Sequence, residues 1–187
     1  MPLTIDEQFR GLSDTISSAQ SHFDVWEAFE NSRTDVLNVR VLNKYIEFFR
    51  AATTGNFESY IISCYQLLET KDDRICFPSL KRDLLASRGI DIETIPEVTT
   101  LQQEMRVTWI SISTLRNKHV GHLSRNHAPR QVYEMANLQP AQVRQYIENA
   151  KTLYNLISSH CNDSIDAFNL RGGAAVERLL ADLRVQL

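Results

Sequence analysis

Three of the chain's five histidines and five of its cations fall in one stretch that contains no acid. Between Glu104 and Glu134 there is no Asp or Glu, while Arg106, Arg116, Lys118, Arg125 and Arg130 are joined by His119, His122 and His127. The stretch carries a formal +5, which leaves −8 for the remainder of a chain whose net charge is −3. An acid-free basic segment in an otherwise acidic protein is the expected footprint of a polyanion site. The competing reading is chance clustering on a solvated helix face. The residue types suit phosphate chemistry. Imidazole titrates near pH ~6.5 and can pass a proton at neutral pH, and a guanidinium is permanently charged and grips two oxygens at once.

The densest part is Leu115-Arg116-Asn117-Lys118-His119-Val120-Gly121-His122. Leu101, Met105, Thr108, Ile112, Leu115, His119 and His122 follow one another at steps of three and four, so the histidines continue an apolar helical stripe. That face runs from core to cleft. On a straight helix Arg116 and His122 stand about 120° apart and do not converge on one atom. Either the chain leaves the helix near Gly121, or another copy of the chain completes the site. Duller roles exist for each residue: a helix-end histidine at His122, a structural ion pair at Arg116, solvated charge at Lys118, an interface position at His119. His119, His122 and His127 have ligand-like spacing, but no carboxylate or thiol lies nearby, so a metal site is a minor reading and no cofactor is expected. Walker, Rossmann, GxSxG and HExxH patterns are absent.

Arg116-Asn117, four more residues and then His122 resembles the motif of the HEPN superfamily (higher eukaryotes and prokaryotes nucleotide-binding). The Arg-Asn-Lys…His run after a long helical half resembles in particular the U-type abortive-infection branch, as does Tyr65 to Asp72 followed by Ser79-Leu80. The resemblance implies an all-α, HEPN-like bundle of long antiparallel helices. It also implies a metal-independent endoribonuclease that acts as a homodimer, with motifs from two protomers facing each other. In that chemistry a base takes the 2′-hydroxyl proton, an acid protonates the leaving 5′-oxygen and a cation holds the phosphorane, leaving a 2′,3′-cyclic phosphate. Arg116 and His122 would be catalytic, with Asn117 orienting His122 or binding phosphate. Lys118, His119, Arg125 and Arg130 would bind RNA. A defence or toxin role follows, with RNA as partner and an antitoxin protein as a further one. The alternative is a non-catalytic HEPN-like module that binds RNA or a nucleotide, or serves as an oligomerising adaptor. An intact Arg-Asn…His favours the enzyme, because a scaffold has no physical need for that combination.

The elements that must position these residues read as helices throughout. The chain's 187 residues are 43% apolar with only 6 Gly and 5 Pro, which suits one domain over residues 1–187 and argues against disorder. Three scattered cysteines exclude a disulfide framework. No apolar run approaches the ~20 residues of a membrane span, and Asp6 and Glu7 stand where a signal peptide would be basic and then apolar. A cytoplasmic location is expected. Thr4 and Glu7 form a capping-box pair that predicts a helix from about Ile5, with Phe9, Leu12, Ile16, Ala19, Phe23 and Trp26 on its inner face. One long helix, or two nearly collinear ones, is predicted from Arg33 to Glu69, passing through Gly55. A short helix opens at Pro78 and closes at Gly89, and residues 90–98 read as a loop with a strand conceivable before Ile95. The stripe from Val143 to Phe168 predicts a helix from Pro140 to Gly172. Val176, Leu179, Leu180 and Leu183 make a last stripe for the core or a partner chain. Phe9, Phe23, Trp26 and Trp109 read as core, and Tyr45, Phe48 and Phe49 as core or dimer interface.

Overall fold

A computed structural model describes residues 3–71, 73–120, 128–161, 166, 168–169 and 172–186. Among these there is no strand, and eight α-helices carry the fold. Helix α1 (Ile5–Ser32) starts where Thr4 and Glu7 exchange hydrogen bonds: the Thr4 hydroxyl accepts from the Glu7 amide at 3.2 Å, and the Thr4 amide donates to the Glu7 carboxylate at 2.8 Å. Its stripe from Phe9 to Phe23 is buried as the spacing requires, whereas Trp26 and Trp109 sit half-buried at the rim of the core.

The segment read as one helix or two collinear ones is two. Helix α2 (Val36–Lys44) is capped by Asp35, whose carboxylate accepts from the Leu37 and Asn38 amides and is held below the usual range by those bonds. Helix α3 (Ile46–Leu67) follows a break at Tyr45, with φ −121° and ψ 41°. Apolar residues keep phase across the break, from Val41 and Leu42 to Phe49, so periodicity alone does not reveal it. Gly55 stays helical.

Helix α4 (Phe77–Arg88) ends at Gly89, whose φ of +67° is left-handed, and the Ile90 amide closes the turn on the Leu84 carbonyl at 3.3 Å. In the stretch read as a loop, a 3₁₀ turn (Ile92–Thr94) buries Ile92, and α5 (Pro96–Leu115) already begins at Pro96. Proline has no amide hydrogen to leave unpaired, which suits it to a first helical turn. A π-helical turn (Arg116–Val120) continues α5. Helices α6 (Pro129–Ala136), α7 (Pro140–His160) and α8 (Gly172–Arg184) complete the chain.

The reading of one helix to Gly172 is corrected: α7 stops at His160. Asn155 brackets the backbone of Asp166 with two 3.0 Å hydrogen bonds, and the Asp166 carboxylate accepts from the Phe168 amide. Phe168, at φ +47°, then packs edge-on against Tyr154. The chain returns Phe168 to the core by another route. Its spacing from Val143 had made it look helical.

Side-chain pairs give the helix directions. Trp26 meets Phe57 and Phe29 meets Phe49, so α1 and α3 are antiparallel. Tyr65 stacks on Trp109 while Phe57 meets His119, so α5 and its π turn run antiparallel to α3. Phe9 meets Tyr154 and Phe23 meets Arg144, which places α7 antiparallel to α1. The main core gathers residues of these helices and of α4 and α6. Inside it the Tyr146 hydroxyl donates to the Cys64 carbonyl at 2.9 Å, satisfying a fully buried phenol. A smaller cluster of Phe29, Val41, Leu42, Phe49, Val176 and Leu180 fastens α8 onto α1 and α2. A Cβ on Gly172 would lie 2.8 Å from the Ser21 carbonyl oxygen, so this approach needs glycine. The far end of α8 is tied by Arg184 to Asp35 at 2.9 Å.

Candidate functional site

The acid-free segment begins on α5 and passes through the π turn. A π turn bonds each amide five residues back and breaks the phase of the preceding helix, a departure frequent at functional sites. The straight-helix separation of Arg116 from His122 therefore does not apply. The departure starts at Arg116, upstream of Gly121. His122, Arg125 and His127 lie outside the described residues, as does Gly121.

Arg116 is half-buried with its guanidinium carbon 4.7 Å from the centre of the Tyr65 ring, and it donates from Nη1 to the Asn117 side-chain oxygen at 2.9 Å. The Asn117 amide nitrogen donates in turn to the Ser113 hydroxyl at 3.2 Å. Tyr65 is itself fixed by Trp109, which stacks on it at 5.5 Å and donates its indole N–H to the Tyr65 carbonyl at 2.9 Å. Neither anchor of Arg116 is anionic, and among the described residues it forms no ion pair.

His119 points elsewhere. Its Nε2 is hydrogen bonded to the Tyr133 hydroxyl at 3.0 Å, and its ring packs near Phe57 and Tyr133. Burial, and then the nearby Glu58 carboxylate, push the Tyr133 phenol up, so it stays protonated at neutral pH. Phe57 and Tyr65 are eight positions apart on α3, about 12 Å along its axis. Arg116 and His119 thus rest against two different turns of α3, at Tyr65 and at Phe57. Lys118 is half-buried between them in sequence. Arg130, on α6, is 90% exposed at its side chain and paired with Glu134 at 2.9 Å. Arg106 faces another cleft, of about 400 Å³, beside Trp109 and Lys81.

A cleft of about 530 Å³ opens between α1, α3 and α6, lined by Trp26, Glu30, Arg33, Arg50, Thr53, Thr54, Phe57, His119 and Tyr133. Sequence reasoning did not place Tyr65, Tyr133, Phe57, Trp26 or Arg50 at a site. Tyr65 stands at the start of the run that carries the family resemblance, which was the signal available for it. The others come together only through the antiparallel pairing of α1 and α3. Among the described residues no group of three His, Cys, Asp or Glu is placed to hold a metal ion, and no helix is long and apolar enough to cross a membrane.

The residues expected at a dimer face divide: Phe49 is buried, while Tyr45, Phe48 and Leu179 are exposed. Leu101 packs against the core, and Val176 and Leu180 are buried under α1 and α2. The exposed apolar residues of α5 are Val107 and Ile110, 71% and 60% accessible, on the side that leads to Asn117.

Compared with known families, residues 3–175 match the HEPN family described as AbiU2. No curated protein and no solved structure matches the chain.

Proposed function

The chain belongs to the AbiU2 family of HEPN proteins, and from that premise we propose that it is a metal-independent endoribonuclease that acts as a homodimer. The family alone makes it a defence-related module, RNase-like or nucleotide-binding. The observation that carries the enzymatic reading is the state of Arg116. Among the described residues its guanidinium is held by a ring and an amide and by no carboxylate, so its charge is available to a phosphate. The structural ion pair that is the duller reading of this arginine would require a carboxylate partner.

In the proposed reaction His122 takes the proton of a ribose 2′-hydroxyl, and the freed oxygen attacks the adjacent phosphorus. Negative charge gathers on the phosphorane oxygens, where Arg116 holds it with two parallel N–H bonds. The P–O5′ bond breaks as the His122 of a second copy gives a proton to the leaving oxygen. The products are a 2′,3′-cyclic phosphate and a 5′-hydroxyl, with no proton gained or lost overall. Asn117 holds the guanidinium in orientation. Lys118, Arg125 and Arg130 attract the strand, and an antitoxin partner would mask the same charge. A second copy seated on the Val107–Ile110 face of α5 brings two Arg116 side chains toward one groove, since that face runs directly into the π turn.

Replacing Arg116 or His122 by Ala tests the assignment. Loss of a preorganised charge donor costs ~10²–10³ in rate and loss of a proton-transfer group ~10²–10⁴, with the fold retained. Equal background cleavage by the wild type and both variants overturns the enzymatic reading in favour of a binding module.

A further inference from the structure

The cleft beside the π turn has a composition that neither a core nor a solvated face requires. Trp26, Phe57, Tyr133 and His119 form a chain of ring contacts, at 6.1 Å from Trp26 to Phe57, 5.7 Å from Phe57 to Tyr133 and 5.0 Å from Tyr133 to His119. All four border the same open volume of about 530 Å³, and none is fully buried. Pockets for small ligands have this size and this mixture of aromatic walls with few polar groups. At the mouth, Arg33 is neutralised by Glu30 at 3.3 Å, while Arg50 is exposed and forms no ion pair among the described residues. The hydrogen-bonded Tyr133 hydroxyl and His119 imidazole supply the polar edge.

We propose that this cleft is a nucleobase subsite, which stacks one unpaired RNA base against its ring wall and holds the neighbouring phosphate on Arg50. The inference rests on the ribonuclease reading and extends it to how the strand is held. Unpaired bases are recognised by stacking on aromatic side chains, with cations following the backbone. An aliphatic peptide side chain would have no use for the phosphate cation or for the polar edge. The subsite is about 12 Å along α3 from the Tyr65 ring that holds Arg116. It therefore receives a nucleotide beside the scissile phosphate, not the one being cut. His119 links the two places, because it belongs to the same π turn as Arg116.

The test uses the full chain and a six-nucleotide 2′-O-methyl RNA, which cannot be cleaved through its 2′-oxygen, followed by tryptophan fluorescence. The oligonucleotide should quench the wild type, and Trp26→Phe should abolish most of that quenching. Thr54→Phe, at an exposed helix position on the cleft mouth, should weaken binding roughly 10-fold by occupying the space of a stacked base. Arg50→Ala should weaken it as well and flatten the slope of log affinity against log salt by about 0.7, the value for one lost phosphate contact on a single strand. Unchanged affinity in Thr54→Phe together with an unchanged salt slope in Arg50→Ala overturns the subsite. Free mononucleotides binding as tightly as the oligonucleotide would overturn the assignment to an RNA strand, and a peptide competing where RNA does not would overturn the ligand class. The two readings fail separately. Arg116-dependent cleavage with cleft variants that bind normally removes the subsite alone, whereas Arg50-dependent binding without any cleavage removes the ribonuclease alone.

Discussion

Removing the ring beneath Arg116 should slow cleavage by an amount the geometry sets. The guanidinium carbon is 4.7 Å from the Tyr65 ring centre and the side chain is half-buried. Cation–π contacts give ~0.5–1 kcal/mol when exposed and ~2 kcal/mol when desolvated, so ~1 kcal/mol fits this case. With 1.36 kcal/mol per tenfold in rate, Tyr65→Leu should lower kcat/KM by about 5-fold. Arg116 would keep its bond to Asn117, so the loss stays far below that of Arg116→Ala. Tyr65→Phe keeps the ring and should cleave like the wild type. Tyr65→Leu also loses the stack on Trp109, worth ~0.5–1.5 kcal/mol, and should melt earlier without changing the indole's bond to the position-65 carbonyl. The assay is single-turnover cleavage of a labelled RNA by the two Tyr65 variants, alone and combined with Arg116→Ala. A residue that acts through Arg116 has no further effect once Arg116 is gone. An equal 5-fold loss in the Arg116→Ala background, or in Tyr65→Phe, would refute the positioning role.

Other perturbations separate packing, ionisation and assembly. A Cβ at either Gly55 or Gly89 meets open space, and only Gly89 has a positive φ; denaturant unfolding should show Gly55→Ala stabilising by ~0.5–1 kcal/mol and Gly89→Ala destabilising by ~1–2 kcal/mol. Burial raises the Asp24 carboxyl despite Arg144 and Lys151 nearby, so its ionisation opposes folding at neutral pH, and the penalty fades as the pH falls through the raised folded value and is gone below the unfolded value of ~3.9. Asp24→Asn should therefore melt higher than the wild type at pH 7, and the two curves should converge as the pH approaches 3. Ile110→Glu places a charge on the exposed α5 face and should shift sedimentation toward monomer, with specific activity falling at the same concentrations. Activity per chain that is constant in proven monomers would contradict a shared site.

What the sequence disclosed and what it withheld divide along the reach of local rules. The Thr4 cap, the Gly89 stop and the buried stripe of α1 depend on residues three or four positions apart, and the chain displays them directly. The break at Tyr45 was hidden because apolar phase continues across it, and the end of α7 because Phe168 returns to the core from outside the helix. At the site, charge patterning and the Arg-Asn pair marked the segment. The ring under Arg116 and the aromatic cleft were not legible, since Tyr65 and Tyr133 meet the π turn, and Trp26 meets Phe57, only after α1, α3 and α6 are assembled. A helical wheel assumes α geometry, and the π turn at Arg116 violates that assumption where it matters most.

The central claim is cleavage of RNA through its own 2′-hydroxyl, with Arg116 holding the phosphorane. Its most direct test is the chemistry of the ends formed when purified protein cuts a defined RNA in excess EDTA. The account predicts 2′,3′-cyclic phosphate and 5′-hydroxyl ends, formed by the wild type and lost in Arg116→Ala. Ends bearing a 5′-phosphate and a 3′-hydroxyl, or activity that disappears with the chelator and returns with added metal, would contradict it.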